Sequence, residues 1–350
     1  MPSNVMSSSL FHDKSISTAE KYRNSMNDVP KAKLEFSEKV YSIEFSPYLW
    51  CHDLICVALA SKIIVGQIKF KEEDDCQIEE VSYRKVEELR VEHRVHRMCL
   101  SPESNIKIAP KTIILAFTNS KNQLIIVAFD HGADIDRIST KVINSHTGYI
   151  NGIEYDKEGN FLASCSDDLS CRIWSAANSY APIYKFFLSS PGIAVSWHKD
   201  DSAKLLVAEK SGVITLHNVT TRQTVLSLRS QASPLLSMDW SPTNTDYISA
   251  ICGGNLVLWC INSPSAPLVD RTVHSEGGIK VKFFPLCESK LLTLGSHDNT
   301  LKIHQTSPSG IYTTNISSSL KMCTELTCHH NLPYICTASD NFVTIWKLPV

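Results

Sequence analysis

The sequence predicts an all-β chain wound into a seven-bladed β-propeller, and three observations carry the prediction. A four-strand cadence returns along the chain, each return opens on the same kind of strand and turn, and the last unit runs out one strand short.

The cadence is clearest in SHTGYINGIEYDKEGNFLASCSDDLSCRIWS, Ser145 to Ser175. A strand-like YINGIEY, a polar turn DKEGN, a second strand FLASCS, a tight turn DDLS and a third strand CRIW follow one another. The first strand and its turn recur as VYSIEFSP, VHRMCLSP, INGIEYDK, IAVSWHK, LLSMDWSP, IKVKFFP and CTELTCHH. Their turns fall at Pro47, Pro102, Lys157, Lys199, Pro242, Pro285 and His330, at intervals of 55, 55, 42, 43, 43 and 45 residues. The later strands recur as LLVAEKSGVITLHN, ISAICGGNLVLW, LLTLGSHDNTLKIH and YICTASDNFVTIW. Units one and two carry the degenerate forms LICVALASKIIVGQI and TIILAFTNSKNQLIIVAF. One such unit cannot bury both of its faces, whereas a ring of them can. Phe45, Trp197, Trp240 and Phe283 are the expected apolar anchors of the first strands.

Val350 follows directly on the third strand of unit seven, while AKLEFSE ahead of unit one alternates apolar and polar residues. That alternation puts Leu34 and Phe36 on one face. Residues 31–37 are therefore expected to lie beside Val343 to Leu348 and close the ring. Residues 29–350 then form the propeller, and residues 1–28, rich in Ser and Asn, a flexible arm.

The first interval is long because of KFKEEDDCQIEEVSYRKVEELRVEH, Lys69 to His93, which holds nine acidic residues from Glu72 to Glu92 beside Lys71, Arg84, Lys85 and Arg90. It reads as a surface extension. Glu72, Glu73, Asp74 and Asp75, with the turn residues Pro191 and Lys210, are the residues assigned to partner contact.

A formal charge of -2 with scattered basic residues argues against direct nucleic-acid binding. The apolar runs break well before the roughly 20 residues of a membrane span. The N-terminus lacks the apolar core of a secretory signal, so an intracellular chain is expected. Twelve cysteines spread over such a chain, several in strand-like runs, read as buried free thiols rather than a disulfide framework. The Ser-Pro pairs at Ser46, Ser101, Ser190, Ser241, Ser263 and Ser307 read mainly as turn residues.

His146, Ser164 and Asp168 fall within one unit and pose the question of a catalytic set. The spacing answers against it. Asp168 precedes Trp174 by six residues, and the offset returns at Asp340 and Trp346 and at Asp298 with His304. Ser211 with His217 and Gly253 with Trp259 occupy the same positions in units four and five. A repeated offset marks a structural device: Asp168 accepting from the His146 imidazole, and Ser164 bridging to the Trp174 indole N–H, with unit three alone holding the complete set. No oxyanion hole or strained nucleophile turn is signalled. The first strands offer few acids and no recurring ligand set for an enzyme working at the axis. Cys323, Cys328, His329, His330 and Cys336 lack the paired C-x2-C spacing of a zinc knuckle. No enzyme activity, metal or cofactor is expected.

The repeats resemble WD repeats. SYRKVEELRVEHRVHRMCLSPES, INGIEYDKEGNFLASCSDDLSCRIW, SSPGIAVSWHKDDSAKLLVAEKSGVITLHN and SLRSQASPLLSMDW resemble more closely the small WD-repeat nucleoporins of the Y-shaped nuclear pore scaffold, over residues from about 38 to 350. The resemblance implies a non-enzymatic, hetero-oligomeric scaffold subunit at the nuclear envelope. Its implied partner is the large nucleoporin built from a propeller and a helical domain. It also implies roles in pore assembly, protein and messenger-RNA transport, and mitotic kinetochores. A WD-repeat adaptor of a chromatin or ubiquitin-ligase complex is the competing reading.

Overall fold

Apolar and β-branched runs of four to ten residues, punctuated by polar turns, form 28 strands in a computed structural model that describes residues 29–73, 80–130, 138–307, 310–317, 320 and 322–349. After β1 (Ala32–Glu35), blade one holds β2 (Ser42–Phe45), β3 (Leu54–Ala58), β4 (Lys62–Phe70) and β5 (Val81–Arg90). Blade two holds β6 (Val95–Leu100), β7 (Thr112–Asn119), β8 (Leu124–Asp130) and β9 (Ile138–Ile143). Blade three holds β10 (Ile150–Tyr155), β11 (Phe161–Ser166), β12 (Ser170–Ser175) and β13 (Ala181–Phe187). Blade four holds β14 (Gly192–Trp197), β15 (Lys204–Glu209), β16 (Val213–Asn218) and β17 (Gln223–Arg229). Blade five holds β18 (Leu235–Trp240), β19 (Tyr247–Cys252), β20 (Asn255–Cys260) and β21 (Val269–Thr272). Blade six holds β22 (Gly278–Phe283), β23 (Lys290–Gly295), β24 (Leu301–Ser307) and β25 (Gly310–Ser317). Blade seven joins β26 (Cys323–Cys328), β27 (Tyr334–Ser339) and β28 (Phe342–Lys347) to β1.

The closure is as the alternation in AKLEFSE required. β1 runs antiparallel to β28 with Ala32 opposite Ile345 and Leu34 opposite Val343. The N–H of Phe36 adds a bond to the Asn341 carbonyl at 2.9 Å. The long first interval becomes the nine-residue β4 and ten-residue β5, the outer strands of blade one. The proposed arm, residues 1–28, lies outside the described residues.

The apolar core is divided rather than central. Seven clusters of buried side chains lie one at each junction of neighbouring blades. The expected anchors sit in them: Phe45 at the junction of blades seven and one, Trp197 at three and four, Trp240 at four and five, Phe283 at five and six. The first strands β2, β6, β10, β14, β18, β22 and β26 pack against one another around the axis. In six of the seven blades the pairing of first and second strand shifts register near its start, where a bulge adds local twist. Gly152 occupies one such bulge, and a Cβ there would come within 2.9 Å of the Ala194 Cα and the Cys165 Sγ. Only glycine lets β10 approach β14 so closely. The eleven cysteines among the described residues are free, eight of them buried.

Candidate functional site

In blade three the hydrogen bonds run in one direction. His146 Nδ1 lies 2.8 Å from Asp168 Oδ2 and its Nε2 lies 2.8 Å from Ser164 Oγ, which accepts the Trp174 indole N–H at 2.9 Å. With the imidazole proton on Nδ1, each donor meets an acceptor. Burial holds His146 below its ordinary pKa, so the ring stays neutral. Burial alone would raise the Asp168 carboxyl, but hydrogen bonds from Ser170 and His146 outweigh it and hold it low. Ser164 is fully buried, without the exposure a nucleophile needs.

Blade three is not alone in this, contrary to the expectation from sequence. Blade six repeats the chain with His274, Asp298, Thr293 and His304. His274 bonds Asp298 at 2.7 Å and Thr293 at 2.8 Å, Thr293 bonds His304 at 2.7 Å, and His304 continues to Thr313 at 2.9 Å. Threonine replaces serine and histidine replaces tryptophan, so the phrase no longer looks the same although the bonds do. The offset from Asp298 to His304 was the available signal; a search for an upstream histidine would have reached His274. Among the described residues, blade seven shows the last link, from the Trp346 indole to Thr337 at 3.1 Å.

The axis also departs from expectation. The first strands carry four acids, Glu44, Glu154, Asp239 and Glu325, and three bases, Arg97, Lys280 and Lys282. Glu325, only 3% exposed, binds Lys280 at 2.6 Å and Arg97 at 3.1 Å, while Arg97 also donates to the Asn151 carbonyl. Lys282 binds Asp239 at 2.9 Å. Most of these residues sit singly among apolar neighbours, so the sequence of each strand gives no hint that they converge. Burial would raise Glu325, but Lys280 and Arg97 outweigh it and keep it ionised. The Glu154 carboxylate accepts a long bond from the Trp197 N–H, 3.4 Å, and burial pushes its carboxyl up to about 8 against the pull of Lys282.

A pH dependence follows. The unfolded carboxyl ionises near 4.5 while the folded one holds its proton to about 8, so the native state binds more protons in between and stability falls as pH rises across that window. The expected loss between pH 5 and 8.5 is on the order of 4 kcal/mol. Urea unfolding of the wild type and of Glu154→Gln across that range checks it, because the variant should show a flatter profile; parallel profiles would reject the assignment.

The residues assigned to partner contact meet different fates. Glu72 accepts the Tyr334 hydroxyl at 3.0 Å and pairs with Lys347, joining blade one to blade seven. Glu73 turns inward, its Oε1 3.4 Å from His52 Nδ1. Asp74 and Asp75 lie outside the described residues. Pro191 and Lys210 come together, the Lys210 N–H donating to the Pro191 carbonyl at 2.8 Å. Of the residues weighed for zinc, His329 does join a group of ligand type, but with His52 and Glu73 rather than with the cysteines.

Exposed apolar side chains carry no signal in the sequence, since single outward residues on strands look ordinary. On the outer strands of blades two to four stand Ile138, Val142, Ile183, Phe187 and Val225, with Phe187 82% exposed. Leu49, Trp50 and Ile108 are exposed on loops of blades one and two. Such side chains on a rigid rim suit protein contact. Among the described residues no helix is long and apolar enough to cross a membrane.

Comparison with known proteins agrees with this geometry. The model of the WD domain, G-beta repeat, matches residues 137–175, the stretch that builds most of blade three. Nucleoporin Nup37 of Drosophila melanogaster is 30% identical over 323 residues, covering 91% of this chain and 97% of that protein. Nucleoporin Nup37 of Homo sapiens is 29% identical over 320 residues, covering 91% and 96%. That of Mus musculus is 29% identical over 316 residues, covering 89% and 95%. A similarity that runs through all seven blades, rather than through one shared repeat, identifies the chain as a member of the Nup37 family of WD-repeat propellers.

Proposed function

We propose that this propeller is a non-enzymatic scaffold subunit of the Y-shaped nuclear pore complex, docked on its large propeller-plus-helical nucleoporin. The observation that carries this reading is the nearly end-to-end similarity to proteins named as nucleoporins. The structure supplies support of a second kind. The His/Ser/Asp set of blade three is consumed by internal hydrogen bonds, and the exposed apolar residues stand on outer strands and loops. In this role the chain resides in the nuclear envelope, supports pore assembly and, through it, protein and messenger-RNA transport, and accompanies the complex to kinetochores in mitosis.

Crosslinking mass spectrometry on the endogenous protein from isolated nuclear envelopes tests the proposal. Reproducible crosslinks from Lys71, Lys85 or Lys210 to one large scaffold nucleoporin are expected. Recovery with a chromatin or ubiquitin-ligase assembly, and absence from pore fractions, would leave the ring intact but overturn the role.

A further inference from the structure

Where blades seven and one meet, three side chains bring one ligand atom each to a common point. His52 follows the short 3-10 turn Leu49–Cys51, Glu73 ends the 3-10 turn Lys71–Glu73, and His329 opens the turn between β26 and β27. His52 Nδ1, Glu73 Oε1 and His329 Nε2 all lie within 4.8 Å of one another. Each of the three is a buried atom with no hydrogen-bond partner, and the nearest approach among them, 3.4 Å from His52 Nδ1 to Glu73 Oε1, makes an ion pair only if the imidazole is protonated. Buried polar atoms are almost always bonded, so three orphans of ligand type converging on one point call for a ligand they share.

The surroundings hold the three groups in place. The rings of Phe45 and Phe70 each meet the fully buried His329 edge-on at 5.2 Å. The other oxygen of Glu73, Oε2, accepts the Phe70 N–H at 3.4 Å, which leaves Oε1 turned toward the imidazoles. Asp53 adds nearby negative charge, with Oδ2 taken by Gln67 at 2.6 Å and Oδ1 3.9 Å from Lys107 Nζ.

We infer that His52, Glu73 and His329 form a metal site for a divalent first-row ion, zinc by the chemistry of its donors, which staples blade seven to blade one. Two imidazole nitrogens and one carboxylate oxygen are a ligand set zinc accepts, with its fourth position left to water. One adjustment is required. Leu332 donates its N–H to His329 Nδ1 at 3.1 Å, which places the proton of the metal-free ring on Nε2. When the metal takes Nε2, that proton moves to Nδ1 and the Leu332 bond is given up. One backbone hydrogen bond is a small cost beside three metal ligands.

The test uses the full chain, stripped with chelator, and Co2+ as a spectroscopic stand-in alongside Zn2+. The wild type should take one equivalent and show tetrahedral cobalt bands without the near-ultraviolet charge-transfer band of a thiolate ligand. Zinc should raise its melting temperature. Glu73→Gln and His52→Gln should bind about 100-fold more weakly, and the zinc-dependent rise should vanish while the metal-free melting temperature stays close to wild type. A wild type that retains no equivalent against a weak competing chelator would overturn the assignment, as would a thiolate band, or variants that bind like the wild type. If the variants do not fold, the cobalt spectrum of the wild type decides alone.

Discussion

A chain lacking Ala32–Phe36 should unfold with a free energy lower by on the order of 5 kcal/mol and should associate in a concentration-dependent way. β1 is only four residues long, yet it supplies the outer strand of blade seven. Leu34 and Phe36 pack into the cluster that also holds Phe45, Val343 and Ile345, and the Phe36 ring meets Tyr83 edge-on at 6.1 Å. Phe36→Ala alone is expected to cost about 3 kcal/mol. Deletion adds the lost ladder to β28 and leaves that strand an open edge whose apolar residues invite pairing with another chain. Urea unfolding followed by fluorescence and circular dichroism, with light scattering at two concentrations, measures both effects. An unchanged midpoint would mean that the ring is held closed by something other than this strand.

Glu325→Ala should cost about 3 kcal/mol, more than removal of a surface carboxylate, because Lys280 and Arg97 would then face each other near the axis without the group that neutralises them. Much of the cost is the uncompensated charge left behind, so it should be recoverable. Glu325→Leu combined with Lys280→Met is expected to be closer to wild type than Glu325→Ala, and a double-mutant cycle on 325 and 280 should return a coupling of about 1–3 kcal/mol. Additive effects of the two positions would show that the pair contributes little to the folded state.

These two predictions also separate what the sequence makes legible from what it conceals. The closing strand could be read in advance because an alternation of four residues has one consequence for a strand: Leu34 and Phe36 must face the same side. The blade-three network was legible because histidine, serine, aspartate and tryptophan stand at a spacing that recurs. Its counterpart in blade six was not, because Thr293 and His304 satisfy the same bonds with different side chains. The axial charges escaped for a different reason. Glu44, Glu154, Asp239 and Glu325 are separated by some 80 to 110 residues from one to the next, and only closure of the ring brings their strands together. His52, Glu73 and His329 are hidden in the same way, two from the first blade and one from the last.

The distribution of the apolar clusters has a mechanical consequence. Since each cluster lies between two blades, the blades resemble staves held by their joints, and among the described residues only the charges at the axis, such as Arg97 of blade two on Glu325 of blade seven, reach past a neighbouring stave. A side chain lost from one cluster therefore loosens one seam of the hoop first, while the apolar packing of the other six seams is left as it was.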